Sequence, residues 1–177
     1  GEFLRALEGL RLAMLDIPKD VPLIQTAFSP LTNAMKMAGE GALLKHMRED
    51  PEKVEKGLEV ITEATIGYLT ESMKRGAEGV FLSTQMSCYD KITLEEQERF
   101  VRKYDLRILE ALKGITWFNV LHIHGSQIMF KECADYPVQA LNWHDQDDGP
   151  SMEEARKLTD KCFLGGLSHL KVLLEKD

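Results

Sequence analysis

The sequence predicts an α/β fold, a parallel (β/α) barrel of the TIM type that is incomplete, with about five of the eight strand–helix units. Three observations predict it. Short apolar stretches alternate with longer amphipathic ones and no hairpin signal joins any pair, so the strands should run parallel through right-handed crossovers. The strands are almost continuously apolar, as in a sheet covered on both faces. No Gly-rich phosphate fingerprint follows a strand: "GEG" at 39–41 falls between helices, and "GG" at 165–166 lacks the remaining glycine spacing, which favours a barrel over an open dinucleotide-binding sheet. A full barrel takes about 250 residues. The chain has 177, so residues 1–177 read as one domain and part of a barrel. No linker, repeat or low-complexity stretch marks a second domain.

The elements follow in chain order. "GEFLRALEGL" reads as an amphipathic helix. The strands are "VPLIQTAFS" (21–29), "GVFLST" (79–84), "FNVLHIHG" (118–125), "VQALNWH" (138–144) and "CFLGGLS" (162–168), each of strand length and most rich in Val, Ile, Leu or Phe. Between the first two lies the clearest helix, with Asp50 as N-cap, Pro51 at its first position and Gly76 to end it. Val54, Leu58, Ile61, Ile66, Leu69 and Met73 form its apolar stripe. A second long helix begins with Thr93 and Glu96 in capping-box register and stops at Gly114. Shorter helices fit "SQIMFKECADY" and "SMEEARKLTD", the latter with Ser151 as cap and Glu154 three residues on.

Composition narrows the function classes. The formal net charge of −7 and interleaved charges such as "MREDPEKVEKG" argue against a nucleic-acid partner, which demands clustered Lys and Arg. No apolar run approaches the roughly 20 residues of a membrane span. Three scattered cysteines, Cys88, Cys133 and Cys162, with no CxxC pair, point to a reducing compartment. The expectation is a cytoplasmic protein with neither a membrane nor a nucleic acid as partner.

In parallel α/β folds, function collects where strands run into the following helices. All five predicted strands end there in polar groups, and four of five histidines (His122, His124, His144, His169) lie at such ends. His122 and His124 are two apart on one strand, so both imidazoles share a face. Such a pair can ligate a divalent metal, usually zinc, with further ligands from Cys88, His144 or Asp145. The alternative is a buried, hydrogen-bonded His122 with His124 lining a pocket. Asn142 and His144 share one face of the next strand and Trp143 the other. Asn142 could orient a substrate carboxylate or amide, or satisfy neighbouring backbone groups. Ser83 and Gln85 end the second strand on one face and suit hydrogen bonding to substrate. Asp145, Asp147 and Asp148 resemble half of a calcium loop without its glycine and closing glutamate, and read as a solvated loop. Met35, Met37 and Met86 read as core filling.

The stretches "PLIQTAFSPLT", "GVFLSTQMSCYDKITLEEQERFVRKYD", "HIHG", "YPVQALNWHD" and "FLGGLS" come in an order that resembles the uroporphyrinogen decarboxylase family, which also contains cobamide-dependent methyltransferases. The resemblance spans nearly the whole chain and looks like the middle and later part of the family's barrel. It implies an enzyme, either carboxy-lyase or methyltransferase, with this stretch alone inactive. On the decarboxylase side, "FSPLT" is similar to the family's turn after the first strand, and Ser83 falls where decarboxylases keep a substrate-contacting serine. "ALNWH" occupies the place of their Gly-Leu-Asp-Trp, with Asn142 instead of aspartate, and Lys36 stands near a missing tyrosine. The implied reaction is cofactor-free decarboxylation of uroporphyrinogen acetates in porphyrin biosynthesis, on a tetrapyrrole-like substrate.

On the methyltransferase side, the family's zinc site uses a His-x-Cys pair where this sequence has His122-Ile123-His124. His122 matches and His124 replaces a thiolate. Zinc there would lower the pKa of a substrate thiol for attack on a methyl–cobalt group carried by a corrinoid protein. A third expectation, of another class, is a module that binds a tetrapyrrole or corrinoid without turning it over. The unpaired edges of a partial sheet lead us to expect a homo-oligomer.

Overall fold

The computed structural model describes residues 2–168. His169, grouped above with the histidines at strand ends, lies outside the described residues. Helix α1 (Glu2–Asp16) buries Leu7 and Leu10, the inward side of the amphipathic pattern. Strand β1 (Ile24–Phe28) turns directly into α2 (Pro30–Ala38), where Pro30 occupies the first turn and its missing N–H costs nothing. Gly39, at φ 83°, separates α2 from α3 (Glu40–Glu49). Helix α4 (Pro51–Met73) starts at the expected proline, but the Asp50 side chain makes no cap bond and instead pairs with Lys53 at 3.2 Å. Leu58 and Leu69 are buried as the stripe requires. Thr62, Thr65 and Ser72 join them, which is tolerated because each hydroxyl donates to the carbonyl four residues back at 2.7–2.9 Å.

Strand β2 (Gly79–Thr84) leads to α5 (Leu94–Gln97), opened by the full Thr93–Glu96 capping box. The expected single helix is interrupted by a π-helical turn, Glu98–Arg102, before α6 (Lys103–Ala111). Its buried face runs through the interruption unbroken: Gln97, Phe100, Val101, Tyr104, Asp105, Ile108 and Leu109. Strand β3 (Val120–Ile123) is followed by a single turn, α7 (Phe130–Cys133), shorter than expected. Strand β4 (Ala140–Asn142), α8 (Met152–Arg156) with its Ser151–Glu154 capping box, and β5 (Cys162–Leu164) complete the order.

The five strands form one sheet in the order β1-β2-β3-β4-β5, all neighbours parallel. That order decides the architecture. A doubly wound sheet reverses direction at a switch point and so places helices on both faces. A sheet that adds every strand on the same side, with right-handed crossovers, places all its helices on one face and bends the other inward. Ala27, Leu82, Leu121 and Leu141 belong to the large core cluster with Leu69, Ile108 and Leu109. The opposite face (Phe28, Phe81, Ser83, Val120, His122, Ala140, Asn142 and Leu164) contributes to neither core cluster. The expected cover on both faces is therefore corrected: the helices cover one face, and the other is the inner wall of part of a (β/α) barrel. Met86 is core and Met35 packs against it, but Met37 is 71% exposed and is not core filling.

Among the described residues, no helix is long and apolar enough to cross a membrane. Also among them, β1 and β5 each have one edge without a strand partner. Such edges pair readily with other chains. For the 177-residue chain we expect concentration-dependent self-association, measured by light scattering as a mass that rises with concentration; a constant monomer mass at every concentration would contradict it.

Candidate metal centre on the inner wall

The site follows from register. Phe28, Ser83, His122, Asn142 and Leu164 are lateral partners across the five strands, so their side chains form one row on the inner wall. Alternation puts His124 and His144 on the same face, two residues further toward the carboxyl ends. The amide of His124 bonds Thr84 O at 2.9 Å, which carries β3 on beside β2 past its last paired residue. Gly125 then leaves the strand at φ 127°, and a Cβ there would lie 2.5 Å from Cys88 Sγ, so only glycine fits the turn. At the end of β4, Trp143 points to the helix side. Its ring meets Phe130 and Phe163 edge-on at 4.7 and 5.1 Å, and its Nε1 donates to Pro150 O at 2.7 Å. That anchor obliges Asn142 and His144 to face inward.

The ring of His122 lies 5.6 Å from those of His124 and His144, which lie 5.1 Å from each other. One ring nitrogen from each of the three falls within 4.8 Å of the others, the one such cluster found among the described residues. His124 Nδ1 and His144 Nε2 are already 3.1 Å apart. His122 is the deepest, stacked on Phe81 at 5.3 Å with its Nδ1 2.6 Å from Asn142 Oδ1. Burial pushes its pKa down to about 4, opposed by the Asn142 bond and assisted by the two neighbouring histidines. His122 is thus neutral at physiological pH and keeps a lone pair.

The structure joins His122, His124, Asn142 and His144, and sets Ser83, 3% exposed, beside His122 in the row. Gln85 is held through its backbone, its amide on Thr32 Oγ1 and its carbonyl on Lys91 Nζ, toward the α2–α3 side of the rim. Of the three proposed additional ligands, only His144 joins the pair. Cys88 is buried, its thiol pushed up to about 11 by burial and pointed at the His124 carbonyl at 3.5 Å. Asp145 Oδ1 accepts the Gly166 amide at 2.8 Å, and Asp147 Oδ1 accepts from the Ser168 hydroxyl at 2.6 Å. The solvated-loop reading of this segment is corrected for both: they latch the β4 loop onto the end of β5. Two contributors were not foreseen. Phe81 could have been found by counting two back from Ser83. The Leu164 carbonyl, which accepts from Asn142 Nδ2 at 2.6 Å, is backbone and leaves no side-chain signal.

The family model described as uroporphyrinogen decarboxylase (URO-D) matches residues 2–177. A uroporphyrinogen decarboxylase of Aquifex aeolicus (strain VF5) is 28% identical over 156 residues, covering 84% of this chain and 44% of that protein. The methylcobamide:CoM methyltransferase MtaA of Methanosarcina barkeri (strain Fusaro / DSM 804) is 22% identical over 161 residues, covering 90% of this chain and 46% of that protein. A solved methyltransferase from Methanosarcina mazei superposes with a TM-score of 0.82 at 19% identity, over 95% of this chain and 49% of that one. The chain thus spans about half the length of these relatives, and the last likeness speaks to the fold.

Proposed function

The chain belongs to the uroporphyrinogen decarboxylase family, and on that premise we propose that it serves zinc-assisted methyl transfer to a thiol, with a corrinoid protein as methyl donor. The observation that carries the reading is the convergence of His122, His124 and His144 within 4.8 Å on the inner wall. Their chemistry fits the group. Three imidazoles with a fourth position open is a donor set of catalytic zinc. A tetrahedral ion with bonds of about 2 Å holds its ligands a little over 3 Å apart, a spacing His124 and His144 already have. A bound divalent ion would supply Lewis acidity, holding a substrate thiol as thiolate at neutral pH.

The protein's own residues supply the rest. His122 is neutral and needs to shed no proton before it can ligate. Phe81, stacked on it, and the apolar Val120 and Ala140 below form a floor that keeps water from the deep side of the ring. Imidazoles in place of thiolates add no negative charge, so the site stays a strong electron acceptor. Decarboxylation, the reaction first expected from the resemblance, is supported by Ser83 beside His122 but lacks an acidic group at Asn142, whose amide is committed to Leu164 and His122.

Metal analysis of freshly purified protein tests the reading. Stoichiometric zinc is expected, with affinity falling by more than about 100-fold in His122→Ala, beyond the loss of an outer-shell partner. His46→Ala, on the exposed side of α3, should leave it unchanged. Metal-free protein with no zinc affinity would overturn the proposal. Turnover of uroporphyrinogen would then favour the decarboxylase. A visible-absorbance shift with porphyrins or cobalamins, without turnover, would favour a binding module.

A further inference from the structure

We propose that Asn142 is a positioning residue which, clamped by the Leu164 carbonyl, fixes His122 in its Nδ1–H tautomer and reserves Nε2 as the ring's ligating or proton-accepting atom. The argument proceeds by elimination along a relay across three strands. The Leu164 carbonyl on β5 can only accept, so the Asn142 atom 2.6 Å away from it must be the NH₂ group. The amide is thereby oriented by chemistry, with Oδ1 turned to His122 at 2.6 Å. That oxygen also can only accept. The nitrogen of His122 facing it must carry the hydrogen, and in a neutral ring the other nitrogen must then hold the lone pair.

The consequence reaches past the two residues. Free neutral histidine favours the opposite tautomer, with its hydrogen on Nε2, so the relay works against an intrinsic preference. Without it the deep member of the histidine cluster would present a hydrogen in place of a donor pair. It also couples β5 to the site, since the group that orients Asn142 is a main-chain carbonyl at the end of that strand. A side chain that merely packs in this place could not do the same work. An aspartate could not either, because its second oxygen would meet the Leu164 carbonyl acceptor to acceptor.

The inference rests on the proposed function only for its metal arm, and the test separates the two. In metal-free protein with ¹⁵N-labelled histidine, long-range proton–nitrogen correlation should show His122 with a pyrrole-type Nδ1 and a pyridine-type Nε2. Asn142→Leu, verified as folded by its amide spectrum, should shift His122 toward the Nε2–H form. Where zinc binds, its affinity should fall about 10- to 100-fold in Asn142→Leu, the cost of losing an outer-shell partner. A wild-type His122 bearing its hydrogen on Nε2, or a tautomer unmoved by Asn142→Leu, would overturn the inference whether or not metal binds. Should Asn142→Leu fail to fold, the wild-type tautomer decides the matter.

Discussion

Gly79→Ala is expected to remove a large share of the folded state's stability. Gly79 opens β2, and a Cβ built on it overlaps the carbonyl oxygen of Phe118 and lies 2.7 Å from that carbonyl's carbon and 3.0 Å from Ile24 Cγ2. Backbone cannot swing aside as a flexible side chain can. Here it is pinned on both flanks. The Trp117 amide donates to Glu78 O at 3.1 Å, and Asn119 ties three strands together: its Oδ1 accepts the Val80 amide at 3.0 Å and its carbonyl accepts the Gln139 and Ala140 amides at 3.0 and 3.2 Å. The Asn119 amide in turn donates to Gln139 Oε1 at 2.7 Å. Relieving the overlap means breaking the entering ends of β2, β3 and β4 together. A cost above about 4–5 kcal/mol is expected, the range reserved for such failures, against a total stability of about 5–15 kcal/mol for an ordinary domain. Gly57→Ala is the control. It lies in α4 with nothing within 4 Å of its Cβ, and should stabilise by about 0.5–1 kcal/mol through helix propensity. Circular dichroism and denaturant midpoints read both. A Gly79→Ala protein that melts like the wild type would refute the β2–β3 register, and with it the row that sets Ser83 beside His122.

That dependence on register explains what was legible in the sequence. Period-two alternation is local, so the shared face of His122 and His124, and the opposed faces of Trp143 and His144, could be read directly and are found as read. The capping boxes at Thr93 and Ser151 are likewise four-residue patterns with a fixed mechanism, and both are present. The parallel barrel order followed from alternation of apolar and amphipathic stretches. What two strands do to each other is not local. The meeting of His144 with His124 needs the offset between β3 and β4, which no property of either segment specifies. The same holds for Asn119, which reads only as an opening residue of the third strand until three strands are aligned on it. The aspartates after β4 misled for a related reason: a run of charges in a loop looks solvated unless the loop's partner is known, and here that partner is the end of β5. Local chemistry identified the candidate ligands, whereas tertiary register decided which of them meet.

Asp105→Asn should reverse part of the protein's pH dependence. Asp105 lies on the buried face of α6, fully shielded, with Tyr136 donating to its Oδ2 at 3.4 Å and the Ser29 hydroxyl close by. Burial pushes its pKa up from 3.8 to about 7, and the nearby Ser29 and Tyr136 hydroxyls offset only part of that. The neighbouring Tyr136 and Cys133 are themselves pushed up by burial, so neither ionises at neutral pH. The sign follows from proton counting. Between pH 4 and pH 7 the unfolded chain has lost this proton while the native protein keeps it, so the unfolded state binds fewer protons and stability falls as pH rises. The loss is complete above about pH 7, where the native state must carry a buried anion, and amounts to about 4 kcal/mol. Asparagine has the same shape, can accept from Tyr136, can donate to Ser29, and carries no charge at any pH. The stability of Asp105→Asn relative to wild type should therefore climb from near zero at pH 4 to a gain of about 3–4 kcal/mol at pH 8. Urea midpoints for the two proteins across that range provide the measurement, and taking their difference removes every other titrating group. Parallel curves would show that Asp105 does not hold its proton. The effect arises close beneath the site, because the Ser29 amide donates to Ser83 O at 2.9 Å, at the strand end beside His122.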